Sequence, residues 1–493
     1  MYGKKVPYKK KMAEEEKTKK QLSSFSILFI IIIVLAIVTQ FASGATFSPQ
    51  EVNGEMVDTV VGANLSDVVM APFNGFRDAL DISVFVLVLG GFLNIVTNTG
   101  ALDAGIQSIV KKFKGNEIMI IVILMSLFSL GGTAYGMAEE TIPFYTLLTG
   151  TMVAAGFDTM VTVGTVLIGA GTGVLGSTIN PFSTGAAMDA LRGIGVEPNV
   201  PVILSVGAVL WITTTIFGIY IVTSYAKKVH KDKGSTILSI QEQKEMEEHF
   251  SAADGKDLTL TGEHKVVLTL FGITFLVMII SLIPWGEFGI GIFEGWTAFL
   301  TGESWGDWYF ADLSMWFFIM SIIIALIDKV PEKEIVDGFV DGAADMLSVV
   351  LVIVVARGVS VLMSITYLDL YILDTAAGAL SGLSPILFVI GSFALYLFLS
   401  FLIPSTSGLA YVSIPIMGGL ANEIGMSPDV MIMIFVSGIG LVNLVTPTSG
   451  VVMGGLEVSR VEYSTWVKFI TKPLIIMTLM TLVILIAAML IVS

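Results

Sequence analysis

The chain has 493 residues, of which 54% are hydrophobic and 14% charged, and its mean hydropathy is +0.86; so much apolar surface needs a bilayer to hide it. The net charge of −15 has the wrong sign for nucleic acid. The absence of cysteine excludes disulfides, thiolate metal sites and a cysteine nucleophile.

In chain order, eight lysines (Lys4, Lys5, Lys9, Lys10, Lys11, Lys17, Lys19 and Lys20) precede an apolar run from Phe25 to Ser43. The run is long for a signal-peptide core, and no small-residue cleavage site follows it. The expectation is a cytoplasmic N-terminus (1–24) and a first membrane helix. Candidate spans lie near 25–44, 82–98, 117–131, 144–156, 159–177, 199–224, 265–284, 313–329, 346–366, 385–403, 410–423, 429–446 and 468–492. The segment 285–312 has no Lys or Arg but holds Glu287, Glu294, Glu303, Asp307 and Asp312, whereas 225–265 holds Lys227, Lys228, Lys231, Lys233, Lys244, Lys256 and Lys265. The positive-inside rule places the second in the cytoplasm and the first outside. Lys111, Lys112 and Lys114 mark another cytoplasmic turn, and 45–81, with only Arg77, lies outside. Residues 227–264 read as a solvated linker between a first membrane repeat (25–226), a connecting helix (265–285) and a second repeat (310–493).

The two repeats match in order. Gly75-Phe76 with Asp78-Ala79 recurs as Gly338-Phe339 with Asp341 and Ala343, and Gly91 and Asp103 recur as Gly358 and Asp369. Gly136, Ala138, Thr141, Ile142 and Pro143 recur as Gly408, Ala410, Ser413, Ile414 and Pro415 with identical spacing. Pro181 and Gly185 recur as Pro447 and Gly450, and the offset runs from 263 (Gly75 to Gly338) to 272 (Gly136 to Gly408). The first Gly-Phe element falls outside and the second inside, so the copies are expected to be inverted. Inverted repeats are a common build of secondary transporters, with substrate sites at broken helices near the midplane.

Four segments are too polar, or too rich in Gly and Pro, for lipid-facing helix: Gly131–Pro143, Gly176–Gly185, Ile403–Gly408 and Asn443–Gly450. Non-helical backbone survives at membrane depth only where protein or water covers it. There, hydroxyls, amides and carbonyls can coordinate a cation, and helix N-termini can face a carboxylate. The candidate substrate or ion ligands are Thr133, Glu139, Glu140, Thr141, Ser177, Thr178, Asn180, Ser183, Thr184, Arg357, Ser405, Thr406, Ser407, Asn443, Thr446, Thr448 and Ser449. Intramembrane carboxylates such as Glu139 and Glu140 are costly and usually functional; they could hold an ammonium or guanidinium, or carry a proton. Arg357 could grip a substrate carboxylate bidentately or form a structural ion pair with a carboxylate of the other repeat. A coupling Na+ would find oxygens at Ser177, Asn180 and Thr446; H+ is the other coupling ion considered, and no cofactor is expected. Gly171-Thr172-Gly173-Val174-Leu175-Gly176 fits the dinucleotide pattern but lacks its strand and acidic residue, so helix packing through small residues explains it better. All three histidines lie in the linker region, no Walker A sequence is present, and the membrane segments offer no catalytic set.

The stretches Gly131 to Tyr145, Gly176 to Gly185 and Ile403 to Gly455 (IPSTSGLAYVSIPIMGGL, then NLVTPTSGVVMGGL) resemble the YfcC family. That family is grouped with the C4-dicarboxylate anaerobic carriers of the ion transporter superfamily. The resemblance spans nearly the whole chain. It implies an all-α membrane protein with two re-entrant hairpins in a transport domain, a separate scaffold, a homodimer and an elevator-type mechanism. Hairpin tips are implied near Gly131–Glu140 and Pro404–Gly408, and unwound helices near Ser177–Asn180 and Thr446–Ser449. Its members include arginine/ornithine antiporters. Related sodium-coupled dicarboxylate carriers bear a Ser-Asn-Thr hairpin signature, where this chain reads Pro404-Ser405-Thr406 and Ser177-Thr178-Ile179-Asn180. A dicarboxylate needs cationic partners, and the core offers mainly Arg357. A basic amino acid needs carboxylates for its side chain and a milder partner for its own carboxylate, which Glu139, Glu140 and the helix N-termini match. The expectation is a basic amino-acid transporter or antiporter in the inner membrane, with a C4-dicarboxylate carrier as the alternative.

Overall fold

The computed structural model describes residues 24–492, apart from 53, 103, 106–107, 109–115, 251–259 and 404. The lysine-rich start, Lys111, Lys112, Lys114, Asp103 and Pro404 therefore lie outside the described residues. The described chain is almost wholly helical. The helices are α1 (Ser24–Ala42), α2 (Leu65–Asp78), α3 (Leu80–Asn98), α4 (Ile118–Tyr135), α5 (Ile142–Ala154), α6 (Thr159–Leu175), α7 (Ala186–Gly193), α8 (Val200–Lys231), α9 (Ile240–Phe250) and α10 (Gly262–Leu282). The second half adds α11 (Phe310–Ile327), α12 (Glu332–Asp345), α13 (Leu347–Ile365), α14 (Leu368–Leu380), α15 (Pro385–Leu402), α16 (Thr406–Glu423), α17 (Pro428–Val442), α18 (Gly450–Val458) and α19 (Tyr463–Val492). One antiparallel hairpin, β1 (Thr46–Val52) with β2 (Glu55–Thr59), precedes α2. Among the described residues eight helices are long and apolar enough to cross a membrane: α3, α4, α8, α10, α11, α13, α15 and α19. Of the other predicted spans, α1 is an unbroken apolar helix of 19 residues, whereas 144–156, 159–177, 410–423 and 429–446 fall on helices bounded by polar or glycine-rich breaks.

The repeat seen in the sequence is a repeat of elements. α2 (Leu65–Asp78) and α12 (Glu332–Asp345) are both 14-residue amphipathic helices, and their ends match Gly75 to Gly342, one turn beyond the Gly338 expected from the sequence; α3 matches α13, α4 matches α15, α6 matches α17, and α8 matches α19. Their packing is reciprocal: α2 lies along α13 while α12 lies along α3. Glycines allow both approaches. A Cβ on Gly75 would stand 2.5 Å from the backbone nitrogen of Gly358, and one on Gly90 would stand 2.5 Å from the carbonyl oxygen of Gly342.

The hairpins α4–α5 and α15–α16 pack with α6, α8, α17 and α19 into one bundle. Its centre is where α6 and α17 meet. Every residue of α17 from Asp429 to Val442 is buried, as expected of a helix that is apolar all round. The supposed dinucleotide motif proves to be packing surface: a Cβ on Gly173 would lie 2.8 Å from Gly132 Cα on α4. α6 also carries a π-helical turn at Gly164–Ile168, a distortion that marks many functional helices. Against this bundle stands a frame of α3, α10 and α11, knit by Phe85, Phe92, Phe271, Phe275 and Phe317.

The linker departs from expectation. Residues 236–250 are not simply solvated, because two buried carboxylates anchor them. Asp158, the N-cap of α6, accepts hydrogen bonds from Tyr225 (2.6 Å) and Thr236 (2.5 Å). Glu242 of α9 is 2% exposed and accepts from the backbone of Glu462 (2.9 Å) and from Thr465 (3.2 Å) at the start of α19.

Candidate functional site

The first hairpin turns because Gly136 adopts φ +79 and caps α4 in the left-handed conformation. Its missing side chain makes room for Asn180: a Cβ there would fall 2.6 Å from Asn180 Nδ2. The chain then makes one 3-10 turn, Glu139–Thr141, before α5 begins. Glu140 is 3% exposed, and one carboxylate oxygen accepts the Ala138 N–H at 3.0 Å. Thr141 Oγ1 donates to the Ala138 carbonyl at 2.6 Å.

The second hairpin is built differently, against the equal spacing of the sequence. Gly408, the counterpart of Gly136, lies within α16, which starts at Thr406 and carries Pro415 inside it. Ser405 caps that helix by accepting the Gly408 N–H at 3.3 Å. With α4 and α15 matched at their ends, Tyr135 and Leu402, the positions of the acidic pair fall on Thr406 and Ser407, so the second tip carries hydroxyls where the first carries carboxylates. The acidic pair belongs to one hairpin tip only.

The two helix breaks, in contrast, share a device. Asn180 Oδ1 accepts the Phe182 N–H at 2.9 Å, and Thr446 Oγ1, at the matching position, accepts the Thr448 N–H at 3.3 Å. Each short side chain thus replaces a lost helical acceptor. Exposed carbonyls are covered by neighbours. Thr133 Oγ1 donates to Gly176 O at 2.8 Å, Trp466 Nε1 to Leu444 O at 2.9 Å, and Tyr463 to Val445 O at 2.8 Å.

One cavity, with an empty volume of about 1150 Å³ including its open mouth, gathers most of these features. Of the candidate residues, Glu139, Glu140, Thr141, Asn180, Arg357, Thr406, Ser407, Asn443, Thr448 and Ser449 line it. Thr133, Ser177, Thr178, Ser183, Thr184, Ser405 and Thr446 do not; most of them brace the tips and breaks. Ser177 Oγ donates to Val174 O at 2.7 Å and accepts from Asn180 Nδ2 at 3.0 Å. Thr178 N–H donates to Thr133 O at 3.0 Å, Thr184 to Ser177 O at 3.4 Å, and Thr446 and Thr448 share a 2.7 Å hydroxyl contact. Ser183 is buried, and its Oγ makes no hydrogen bond among the described residues. Among the described residues, no group of three or more His, Asp or Glu gathers as a metal site.

Electrostatically the cavity is acidic. Arg357 is the one cation lining it among the described residues, and its guanidinium is 3.6 Å from Asp78 at the end of α2. The carboxylate of the other repeat is thus the arginine's partner in this structure. Glu139, half-buried, lies within electrostatic reach of Arg357. The N-termini of α16 (Thr406, Ser407) and α18 (Ser449, Gly450) open onto the same space as the glutamates, and helix N-termini favour anions. Sequence reasoning missed the cavity's aromatic wall. Phe182 lies inside the polar segment Gly176–Gly185, while Tyr309 and Phe310 precede the predicted span 313–329 with no feature to single them out.

These features meet known proteins at several points. The family model described as DcuC, C4-dicarboxylate anaerobic carrier, matches residues 22–490. An uncharacterized protein of Haemophilus influenzae is 32% identical over 413 residues, covering 82% of this chain and 75% of its own. The Escherichia coli protein named "Putative basic amino acid antiporter YfcC" is 28% identical over 442 residues, covering 85% of this chain and 80% of its own. Two solved structures are similar. Neisseria gonorrhoeae MtrF, described within a class of antimetabolite efflux pumps, has 14% identity, covers 98% of each chain and gives a TM-score of 0.49. The Alcanivorax borkumensis YdaH transporter has 13% identity, covers 94% of this chain and 98% of its own, and also gives a TM-score of 0.49. With a match over nearly its whole length, the chain belongs to the DcuC family, the C4-dicarboxylate anaerobic carriers.

Proposed function

We propose that this membrane transporter carries basic amino acids, as a transporter or antiporter in the inner membrane with its N-terminus in the cytoplasm. The observation that carries the reading is the charge of the cavity. Two glutamates sit at one hairpin tip, and the only lining cation among the described residues is already paired with Asp78. A cationic side chain would meet Glu139 and Glu140, while the substrate's own carboxylate would meet the N-termini of α16 and α18. The name of the E. coli relative agrees with this choice. Na+ or H+ coupling, sliding of the hairpin bundle against the α3–α10–α11 frame, and a homodimer complete the proposal.

The second reading is a C4-dicarboxylate carrier, favoured by Arg357 and by the family's description. Substitution at the tip separates the two. Glu139→Gln and Glu140→Gln should each weaken uptake of labelled arginine by at least about tenfold, the scale of one lost charged contact. Normal arginine uptake by both variants would remove the basis of the first reading.

A further inference from the structure

The cavity wall between the broken helix α6 and the frame is aromatic. Phe182 follows Pro181 at the first break, and Phe310 opens α11. Their rings stack at 5.4 Å with 9° between planes. Tyr309 stands 5.2 Å from Phe182 and 4.8 Å from Phe310. All three line the cavity that holds Glu139 and Arg357.

These rings cannot neutralise a substrate's charges as the glutamates and helix ends can; what they fix is space. The wall is also backed. Phe310 packs on Phe85 at 5.6 Å, Phe85 on Phe317 at 5.9 Å, and Phe317 on Phe92 at 5.0 Å. Phe85, Phe92 and Phe317 are fully buried. A close-packed backing of rings relaxes only partly into a gap, so truncating the front ring leaves volume.

We infer that the Phe182–Phe310 stack sets the length limit of the transported solute. Charge at the tip chooses the kind of substrate, and the aromatic wall chooses how far its side chain extends. The inference rests on the reading that this cavity is the substrate site. One methylene at an apolar wall changes discrimination by about tenfold or more.

The test uses full-length protein in proteoliposomes: wild type, Phe182→Ala, Phe182→Leu and Phe310→Leu. Inhibition of labelled arginine exchange is measured with ornithine, lysine and homoarginine. The expected result is a shift of the homoarginine-to-ornithine inhibition ratio by about tenfold towards the longer compound in Phe182→Ala, with smaller shifts in the leucine variants. A ratio unchanged in variants that still exchange arginine overturns the inference and leaves the basic amino-acid reading standing. Equal weakening against every competitor overturns it too, because a merely structural role moves all affinities together. If wild type exchanges succinate and not arginine, that reading falls instead. The same variants are then compared with succinate, glutarate and adipate, and the same ratio shift decides the inference. Should Phe182→Ala fail to elute as a folded species, Phe310→Leu supplies the ratio.

Discussion

The carboxylate of Asp78 and the guanidinium of Arg357 stand 3.6 Å apart, joining the end of α2 in one repeat to the middle of α13 in the other. The pair is partly exposed, so its strength is modest, and it offsets part of the charge that Arg357 brings to the cavity wall.

Releasing that cation should change selectivity. Asp78→Asn is expected to improve inhibition by succinate by about fivefold, equivalent to the upper range for an exposed pair. Arg357→Ala in the same background should abolish the gain. If Asp78→Asn lowers thermal stability and leaves succinate inhibition unchanged, the pair is a brace only.

The hairpin tips should differ in their tolerance of a methyl group. Gly136→Ala forces a left-handed residue, costing about 1–2 kcal/mol, and drives its Cβ to 2.6 Å from Asn180 Nδ2. Transport should fall to background. Gly408→Ala meets only the Ser405 side chain, at 2.8 Å from its Oγ, and should keep most activity. Equal loss in both variants would show that the tips are equivalent after all.

The docked linker is testable by proteolysis. Glu242→Ala removes the acceptor of the Ser239, Glu462 and Thr465 hydrogen bonds, each worth about 1.5–3 kcal/mol to a charged group. Cleavage between α8 and α10 should become much faster than in wild type. An unchanged cleavage rate would mean that these bonds do not hold the linker.

Asp158 adds a pH dependence. Burial pushes its carboxyl above the ordinary carboxylate value of 3.8, against the opposing hydrogen bonds from Thr236, Tyr225 and Val161. The folded state therefore binds this proton more tightly than the unfolded one. Its contribution is fully present below 3.8 and is lost as pH rises through the elevated value. The linker should be more protease-resistant on acidification across that window, and Asp158→Asn should flatten the profile. A wild-type profile as flat as the variant's would contradict this.

Much of the architecture was legible because glycine and proline punctuate it. Gly136, Asn180-Pro181 and Thr446-Pro447 mark breaks whose residue types dictate local geometry. The repeat was legible through recurring glycines, Gly91 with Gly358 among them, but not the close approach of Gly75 to Gly358 across the repeats. What could not be read was long-range. Nothing near Asp78 names Arg357 as its partner, and nothing near Glu242 points to Glu462, 220 residues away. Equal spacing also misled at the hairpins. Gly136 and Gly408 align in sequence, yet Gly136 directly follows α4 whereas Gly408 lies in the first turn of α16, six residues past the end of α15.

The most direct test of the charge-based account is counterflow in proteoliposomes preloaded with unlabelled arginine or succinate, with labelled arginine and labelled succinate outside in turn. The account predicts accelerated arginine uptake with arginine or ornithine inside, and none of labelled succinate. Accelerated succinate uptake without arginine exchange would contradict it, place Arg357 at the centre of the site, and show that Glu139 and Glu140 do not bind the substrate's cation.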